Sequence, residues 1–382
     1  MSSRPNPASA AHTAGAEAKA GHRPTLSDLG GWRAVLGALT TRRDLTADEA
    51  GAALAAILEG AATSAQIAAF CIALRMKGET VEEMTGLLAT MLAFAEPVVL
   101  APGCDPVDTC GTGGDRSHTI NVSTIAALVV AGAGAPVCKH GNRAASSACG
   151  SADVLGALGV AVDLGPTGVA ACVEQAGMGF CFAPRFHAAL RHAGPTRREL
   201  GVATVFNFLG PLANPARLRR QALGVSDPGM AEKVIGVLAA AGAERALVVF
   251  GHDGLDELST TTTSTVVELR DGGVRTYSVD PAALGLRLAD AADLRGGDAG
   301  VNAGHARRVL DGEQGPHRDF VLLNAAAGVV AGGLADDLAD GLAAAATAVD
   351  DGRAAAVLER LVAVSQQQSE AEAVAGAQAA GT

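Results

Sequence analysis

Two glycine-rich segments carry the residues with the clearest chemical potential. The first, DTCGTGGDRSHTINVST at 108–124, places three glycines and Asp115 between a short apolar run and an apolar helical stretch. The second, KHGNRAASSACGS at 139–151, follows another apolar run and adds a lysine, an arginine and three serines. Backbone N–H groups approach a ligand closely only where side chains are absent, and a helix N-terminus favours negative charge. The first segment alone is equally explained as a tight turn, and the serines of the second argue against a solvated basic turn; together they predict a ligand with two anionic ends.

Two further segments supply charged groups. GHDGLDELST places Asp256 and Glu257 side by side after a predicted strand at 246–250. Hard oxygen ligands of this kind suit Mg²⁺, although an isolated acidic pair is better explained as a surface turn. The stretch at 185–216, RFHAALRHAGPTRRELGVATVFNFLGPLANPA, combines four arginines with an apolar strip at 205–209. A guanidinium beside an apolar wall suits an aromatic carboxylate, whereas any single arginine here is also explained as a surface group.

Composition narrows the class of protein. The 382 residues are 49% hydrophobic and only 3% aromatic, and the net charge is −11. This charge argues against a general nucleic-acid binder or a protein of anionic membrane surfaces. The seven cysteines form no CxxC pair, which favours buried thiols in a reducing cytoplasm, and no segment is long and apolar enough for a membrane span. We therefore predict a cytoplasmic protein without nucleic-acid or membrane partners.

The elements that position these segments change character along the chain. Residues 26–96 show helical spacing, with capping boxes that begin at Thr46 and Thr80. Beyond residue 97, short apolar runs alternate with helical stretches, and STVVELRDGGVRTYSV is typical of a hairpin. We predict an α/β protein with a small all-helical N-terminal domain and a larger α/β domain, whose mostly parallel central sheet is flanked by helices. The expected divisions are a disordered tail at 1–27, the helical domain at 28–97, the α/β domain at 98–365 with segments that complete the helical domain, and a frayed tail at 366–382.

In this order the motifs resemble the anthranilate phosphoribosyltransferases. The resemblance rests on GTGGD (111–115), NxST (121–124), KHGNRxxSS (139–147), FNxLGPLxNP (206–215) and GxDE (254–257), and it spans about residues 30–365. It implies a homodimeric, Mg²⁺-dependent enzyme of tryptophan biosynthesis, with the dimer contact in the helical domain. Such an enzyme transfers phosphoribose from phosphoribosyl pyrophosphate (PRPP) to the amine of anthranilate and releases pyrophosphate.

The resemblance also implies roles for individual residues. The PRPP contacts would be Gly111, Gly114, Asp115, Thr119, Asn121, Val122, Ser123, Thr124, Lys139, His140, Gly141, Asn142, Arg143, Ala144, Ala145, Ser146, Ser147 and Ser151. Anthranilate would contact Gly111, Asn142 and Arg197, with His140, His187 and Pro211 along its approach. Magnesium would be held by Ser123, Asp256 and Glu257. No covalent nucleophile is implied.

The chain departs from the family pattern at three positions. Arg116 stands where a small residue is common, Ala188 where proline is common, and Ala203 where many members carry arginine. One alternative within the same fold is a pyrimidine-nucleoside phosphorylase. Another is a non-catalytic, nucleic-acid-binding relative, which would lack Arg197 and carry a basic surface. The presence of Arg197 and the net charge of −11 favour the transferase.

Overall fold

The computed structural model describes residues 24–115, 117–144 and 149–380. The N-terminal part is helical, as predicted, because successive threonines cap its helices. Capping boxes begin at Thr46, Thr63 and Thr80, and in each the residue three positions on returns a hydrogen bond to the cap. The helices are α1 (Gly31–Thr40), α2 (Ala47–Leu58), α3 (Ser64–Lys77) and α4 (Val81–Ala93).

A single seven-stranded sheet forms the centre of the larger domain. Its strands are β1 (Val107–Gly111), β2 (Val137–Gly141), β3 (Met178–Phe182), β4 (Arg220–Gly224), β5 (Arg245–Gly251), β6 (Ser264–Arg270) and β7 (Gly273–Val279). They lie in the order β3-β2-β1-β4-β5-β6-β7, with β1 to β5 parallel and β6 and β7 antiparallel. Asp271 and Gly272 form the predicted hairpin turn, both with positive φ, which matches the twist of the paired strands.

Helices cover both faces of the sheet. They are α5 (Val122–Ala133), α6 (Ser151–Leu158), α7 (Pro166–Ala176), α8 (Ala183–Phe186), α9 (Gly194–Leu200), α10 (Val205–Leu212), α11 (Ala231–Ala240), α12 (Ala299–Leu310), α13 (Pro316–Ala331), α14 (Leu338–Asp350) and α15 (Arg353–Ala380). The sheet has a hydrophobic core on each face, and alternate residues of β5 point into different cores. Leu247 packs in the first core with α5, α7 and α12 to α15, whereas Val248 packs in the second core with the N-terminal helices, α10 and α11. The second core therefore joins the helical domain to the sheet, and the predicted fold class is confirmed.

The structure describes residues 24–27 and 366–380 of the two predicted tails. Residues 1–23 lie outside the described residues. The Thr25 hydroxyl donates to Asp28 Oδ2 at 2.7 Å and accepts from the Asp28 N–H. At the other end α15 is helical to Ala380, so the predicted frayed tail is wrong for residues 366–380. The Glu372 carboxylate accepts from the Gly165 N–H at 3.0 Å, which attaches this helix to the start of α7. No helix among the described residues is long and apolar enough to cross a membrane.

Candidate active site

A cleft of about 360 Å³ opens at the carboxyl ends of the parallel strands. The chain runs outward from β1 to β2 and β3 and then returns to β4 on the other side of β1, which creates the position where open α/β sheets bind ligands. The cleft is lined by Asp256 and Glu257 and by every predicted PRPP contact that the structure describes: Gly111, Gly114, Asp115, Thr119, Asn121, Val122, Ser123, Thr124, Lys139, His140, Gly141, Asn142, Arg143, Ala144 and Ser151. The predicted contacts Ala145, Ser146 and Ser147, and the departure at Arg116, lie outside the described residues.

The first glycine loop folds around the Asp256 carboxylate. Gly113 and Gly114 have φ values of 65° and 86°, and the Gly113 N–H donates to Asp256 Oδ2 at 2.6 Å. A Cβ at Gly111 would lie 2.4 Å from the same oxygen. Glycine at the end of β1 is therefore required for the acidic pair to reach the loop. Asp115 has a local role, because its carboxylate accepts from the backbone and side chain of Ser117.

The start of α5 leaves the hydroxyls of Ser123 and Thr124 free of any capping role. Asn121 occupies the cap position, without a side-chain capping bond, and Ser123 and Thr124 lie within the first turn. The Thr124 hydroxyl is buried and has no hydrogen-bond partner among the described residues. The N–H groups of Val122 and Thr124 donate to the carbonyls of Ile120 and Asn121, so the start of α5 favours a bound anion by its helix dipole more than by free N–H groups.

Lys139 lies below the first loop. Its side chain is 2% exposed, and Nζ donates to the Thr109 carbonyl and lies 3.4 Å from Ser123 Oγ. The Thr109 hydroxyl in turn donates to the Ser123 carbonyl at 3.0 Å. The lysine therefore places its charge between β1, β2 and the start of α5, next to the hydroxyl that was predicted to contact magnesium.

The second loop is closed by Asp153, in the first turn of α6. Asp153 Oδ2 accepts from the N–H groups of Ala144 and Gly150, both at 3.0 Å, and Oδ1 accepts from Arg143 at 2.8 Å. These hydrogen bonds hold the pKa of Asp153 below its usual value. Ser151 adds two hydrogen bonds across the base of this loop: its hydroxyl accepts from the Asn142 N–H and donates to the Asn142 carbonyl.

The acidic pair is held in an environment that disfavours its own charge. Burial, with repulsion from Asp115, raises the pKa of Asp256 to about 7. Burial and the neighbouring Asp256 also raise the pKa of Glu257 well above its usual value. Within the described ranges, no cluster of three or more His, Cys, Asp or Glu side chains could hold a metal alone. A hard-oxygen set of two carboxylates and a hydroxyl fits Mg²⁺, which takes its remaining ligands from phosphate and water.

A second wall lies beside the cleft and is built around α10. The Arg197 guanidinium lies over the Phe206 ring at 5.1 Å, and burial lowers its pKa. No carboxylate among the described residues forms an ion pair with Arg197, whereas Arg185 pairs with Glu96. Arg191 and Arg198 are exposed, as expected of surface arginines.

Two buried histidines connect this wall to the cleft. The rings of His140 and His187 lie 5.1 Å apart, and His140 Nδ1 is 3.1 Å from the carbonyl of Gly210, which precedes Pro211. His187 Nε2 is 2.9 Å from the Ala213 carbonyl. Burial and the neighbouring His187 lower the pKa of His140 to about 3, and burial lowers the pKa of His187. Both rings are therefore neutral near pH 7.

Two residues of the site were missed by sequence reasoning. Asn207 lines the cleft from α10, and its side-chain Oδ1 accepts from the Thr204 N–H at 3.0 Å. Gly224 ends β4, where a Cβ would lie 1.5 Å from the Asp256 carbonyl oxygen. Asn207 belongs to the FNxLGPLxNP motif, which could have identified it, but the need for glycine at 224 appears only when β4 and the acidic pair are brought together.

Comparison with known proteins assigns both parts of the chain. Residues 33–95 match the helical bundle domain of the glycosyl transferase family, and residues 104–355 match the a/b domain of that family. The anthranilate phosphoribosyltransferase of Acidothermus cellulolyticus is 56% identical over 89% of this chain and 97% of its own length. The enzyme of Rhodococcus opacus is 57% identical over 86% of this chain and 92% of its own length.

Solved structures agree with these sequence relationships. The crystal structure of anthranilate phosphoribosyltransferase from Thermus thermophilus superposes with a TM-score of 0.82 at 40% identity, covering 87% of this chain and 99% of that one. The Saccharomyces cerevisiae enzyme in complex with PRPP and Mg has a TM-score of 0.80 at 27% identity, covering 88% and 98%. The fold and the matched domains define a two-domain glycosyltransferase. Within that class, the chain belongs to the anthranilate phosphoribosyltransferase family.

Proposed function

We propose that this protein transfers the phosphoribosyl group of PRPP to the amine of anthranilate. The products are N-(5-phosphoribosyl)anthranilate and pyrophosphate, and the reaction is the second step of tryptophan biosynthesis from chorismate. The proposal is carried by one juxtaposition: two glycine-bearing loops and the Asp256–Glu257 pair line one cleft, and an arginine without a carboxylate partner among the described residues lies on the adjoining apolar wall. The loops match the two anionic ends of PRPP, the acidic pair matches its magnesium, and the arginine matches the carboxylate of anthranilate.

The two loops would bind opposite ends of PRPP. The helix dipole at the start of α5 and the glycines of the first loop suit one phosphate group, and the second loop, which carries Arg143 and Ser151, suits the other. Ser123, Asp256 and Glu257 would hold magnesium, which when bound neutralises charge that develops on the departing pyrophosphate. Lys139, fixed 3.4 Å from Ser123 Oγ, adds a positive charge at the same position.

The amine needs positioning more than it needs a base. An aromatic amine has a free lone pair at neutral pH, so holding it near the anomeric carbon supplies the main remaining acceleration. Arg197 would hold the anthranilate carboxylate by two parallel N–H···O bonds, and its guanidinium carbon lies 5.1 Å from the centre of the Phe206 ring. His140 and His187 are neutral and would line the approach without repelling the ring or protonating the amine.

Two further properties belong to the proposal. We expect a homodimer with its contact in the helical domain, supported by a groove of about 670 Å³ between α1, α2 and α4, whose lining includes Trp32 and the 37%-exposed Phe94. We expect cytoplasmic location, supported by seven cysteines that form no disulfide in the described part of the chain, six of them buried. Light scattering at several protein concentrations tests the first property, and a monomer throughout would contradict it.

A fluorescence assay tests the proposed function directly. Anthranilate fluorescence is followed with PRPP and Mg²⁺ together and with each omitted, and pyrophosphate release is measured in parallel. We expect loss of anthranilate, matched by pyrophosphate, only in the complete mixture. Undiminished anthranilate in the complete mixture, with a folded protein, would overturn the proposal.

A further inference from the structure

We propose that Asn302, on α12 outside the cleft, is a positioning residue that fixes both substrate loops through Asn121. This inference rests on the proposed transferase function, because the loops matter here as the PRPP-binding elements. Asn302 is 2% exposed. Its Oδ1 accepts from the Gly297 N–H at 2.7 Å, and its Nδ2 donates to Asn121 Oδ1 at 2.8 Å.

Asn121 extends this contact into the second loop. Its Nδ2 donates to the Cys149 carbonyl at 2.9 Å, where the chain returns from that loop towards α6. Both side-chain atoms of Asn121 are thus engaged within the protein. Its side chain joins the end of the first loop to the end of the second, so any contact that Asn121 makes with PRPP falls to its backbone.

The direction of this chain of hydrogen bonds is fixed at both ends by backbone groups. The Gly297 N–H can only donate, so Oδ1 of Asn302 must face it and Nδ2 must face Asn121. The Cys149 carbonyl can only accept, so Asn121 must present Nδ2 there and Oδ1 to Asn302. Each amide therefore has one satisfactory orientation, and reversing either one opposes two oxygens or two N–H groups.

The segment before α12 reinforces the same contact. The Ile120 N–H donates to the Leu294 carbonyl at 3.1 Å, and the Gly296 N–H donates to the His118 carbonyl at 2.9 Å. A Cβ at Gly296 would lie 2.5 Å from Asn302 Oδ1 and 2.9 Å from the Thr119 carbonyl. The backbone at 294–297 therefore packs directly along the first loop, and Asn302 is the side chain that carries this attachment across to the second.

The test uses Asn302→Asp, which keeps the acceptor for Gly297 but removes the donor to Asn121. Asn121 then satisfies the new carboxylate only by turning its oxygen towards the Cys149 carbonyl, which releases the second loop. We expect the KM for PRPP to rise about tenfold, since a buried polar group is left unpaired, while the KM for anthranilate changes less than about twofold. Asn302→Ser, which replaces the amide by a shorter uncharged hydroxyl, should show the same selectivity with a smaller increase.

Two comparisons separate positioning from general destabilisation. Ser365→Ala removes another buried acceptor of a backbone N–H, from Ala161 at 3.0 Å, on a helix away from both loops. It should lower Tm without changing either KM. If Asn302 acts through Asn121, the double variant Asn121→Ala/Asn302→Ala should have the same KM for PRPP as Asn121→Ala alone.

Calorimetric titration of PRPP with Mg²⁺, without anthranilate, provides a readout that does not require turnover. If the wild-type protein binds PRPP but does not consume anthranilate, the proposed function is refuted. The titration still shows in that case whether the Asn302 variants bind PRPP more weakly than the wild type. A PRPP affinity and KM within about twofold of wild type in both Asn302 variants would overturn the inference. A KM for PRPP that is higher in the double variant than in Asn121→Ala alone would show that the two substitutions act independently, and this would also overturn the inference.

Discussion

Replacing Arg197 by alanine should impair anthranilate recognition selectively. The guanidinium lies over Phe206, is partly buried and has no carboxylate partner among the residues that the structure describes. A cation removed from water without a partner is costly in the free enzyme, and the carboxylate of a substrate would relieve that cost. Arg197→Ala removes the partner that the proposal assigns to this carboxylate.

The magnitude follows from the type of bond. Hydrogen bonds to a charged group contribute about 1.5–3 kcal/mol, which corresponds to a loss of about 10- to 150-fold in kcat/KM for anthranilate. Stability should fall much less, because the lost stacking on Phe206 is offset by removal of a desolvated charge. Arg197→Lys should be intermediate, since an ammonium keeps the charge but lacks the planar pair of donors.

Steady-state kinetics with each substrate varied in turn measures the effect, and Arg198→Ala is the matched control. Arg198 is the next residue on α9 and is exposed, so its removal should leave both KM values unchanged. Equal increases in the KM values for anthranilate and PRPP after Arg197→Ala would refute the reasoning. A larger effect of Arg198→Ala than of Arg197→Ala on the KM for anthranilate would also contradict the assignment.

Three further predictions concern the metal site, the strand end and the buried histidine. Asp256→Asn combined with Glu257→Gln should abolish turnover and leave circular dichroism unchanged, and retained Mg²⁺-dependent activity would place the metal elsewhere. Gly224→Ala should eliminate activity or folding, because its Cβ would lie 1.5 Å from the Asp256 carbonyl oxygen, whereas Gly156→Ala, with no atom within 4 Å, should be neutral or stabilising by about 0.5–1 kcal/mol. The pKa of His140 is about 3 in the folded protein and about 6.5 in the unfolded chain. The free energy of unfolding should therefore decrease as the pH falls below 6.5, by about 2 kcal/mol at pH 5. Chemical denaturation of His140→Gln should show a weaker loss between pH 6.5 and 5, and an unchanged pH dependence would show that another group is responsible.

Local sequence determined the elements and the order of the motifs. The threonine capping boxes at 46 and 80 define the starts of α2 and α4, because a cap depends only on residues three positions apart. The Asp271–Gly272 turn defines the hairpin in the same way. The glycine loops and the Asp256–Glu257 pair were recognisable because their residue types are unusual for an ordinary turn or core.

Sequence failed where a residue's role depends on a partner far along the chain. The helical end at 366–380 lacks a strong apolar pattern and is held by contacts such as Glu372 with Gly165. Lys139 lines the cleft as predicted, but its contacts with Thr109 and Ser123 beneath the other loop could not be read from its own segment. Only the folded structure shows that Arg197, and not its neighbour Arg198, is partly buried without a carboxylate partner among the described residues. This distinction depends on long-range packing.

The sequence alone thus determined which groups could do chemistry, since residue type and short-range spacing are local properties. The tertiary structure decided which of those groups meet. Gly111 and Asp256 are brought together by the parallel register of β1, β4 and β5, and Asn121 meets Asn302 only because α12 packs along the first loop. Such contacts join residues more than a hundred positions apart, so no local pattern encodes them.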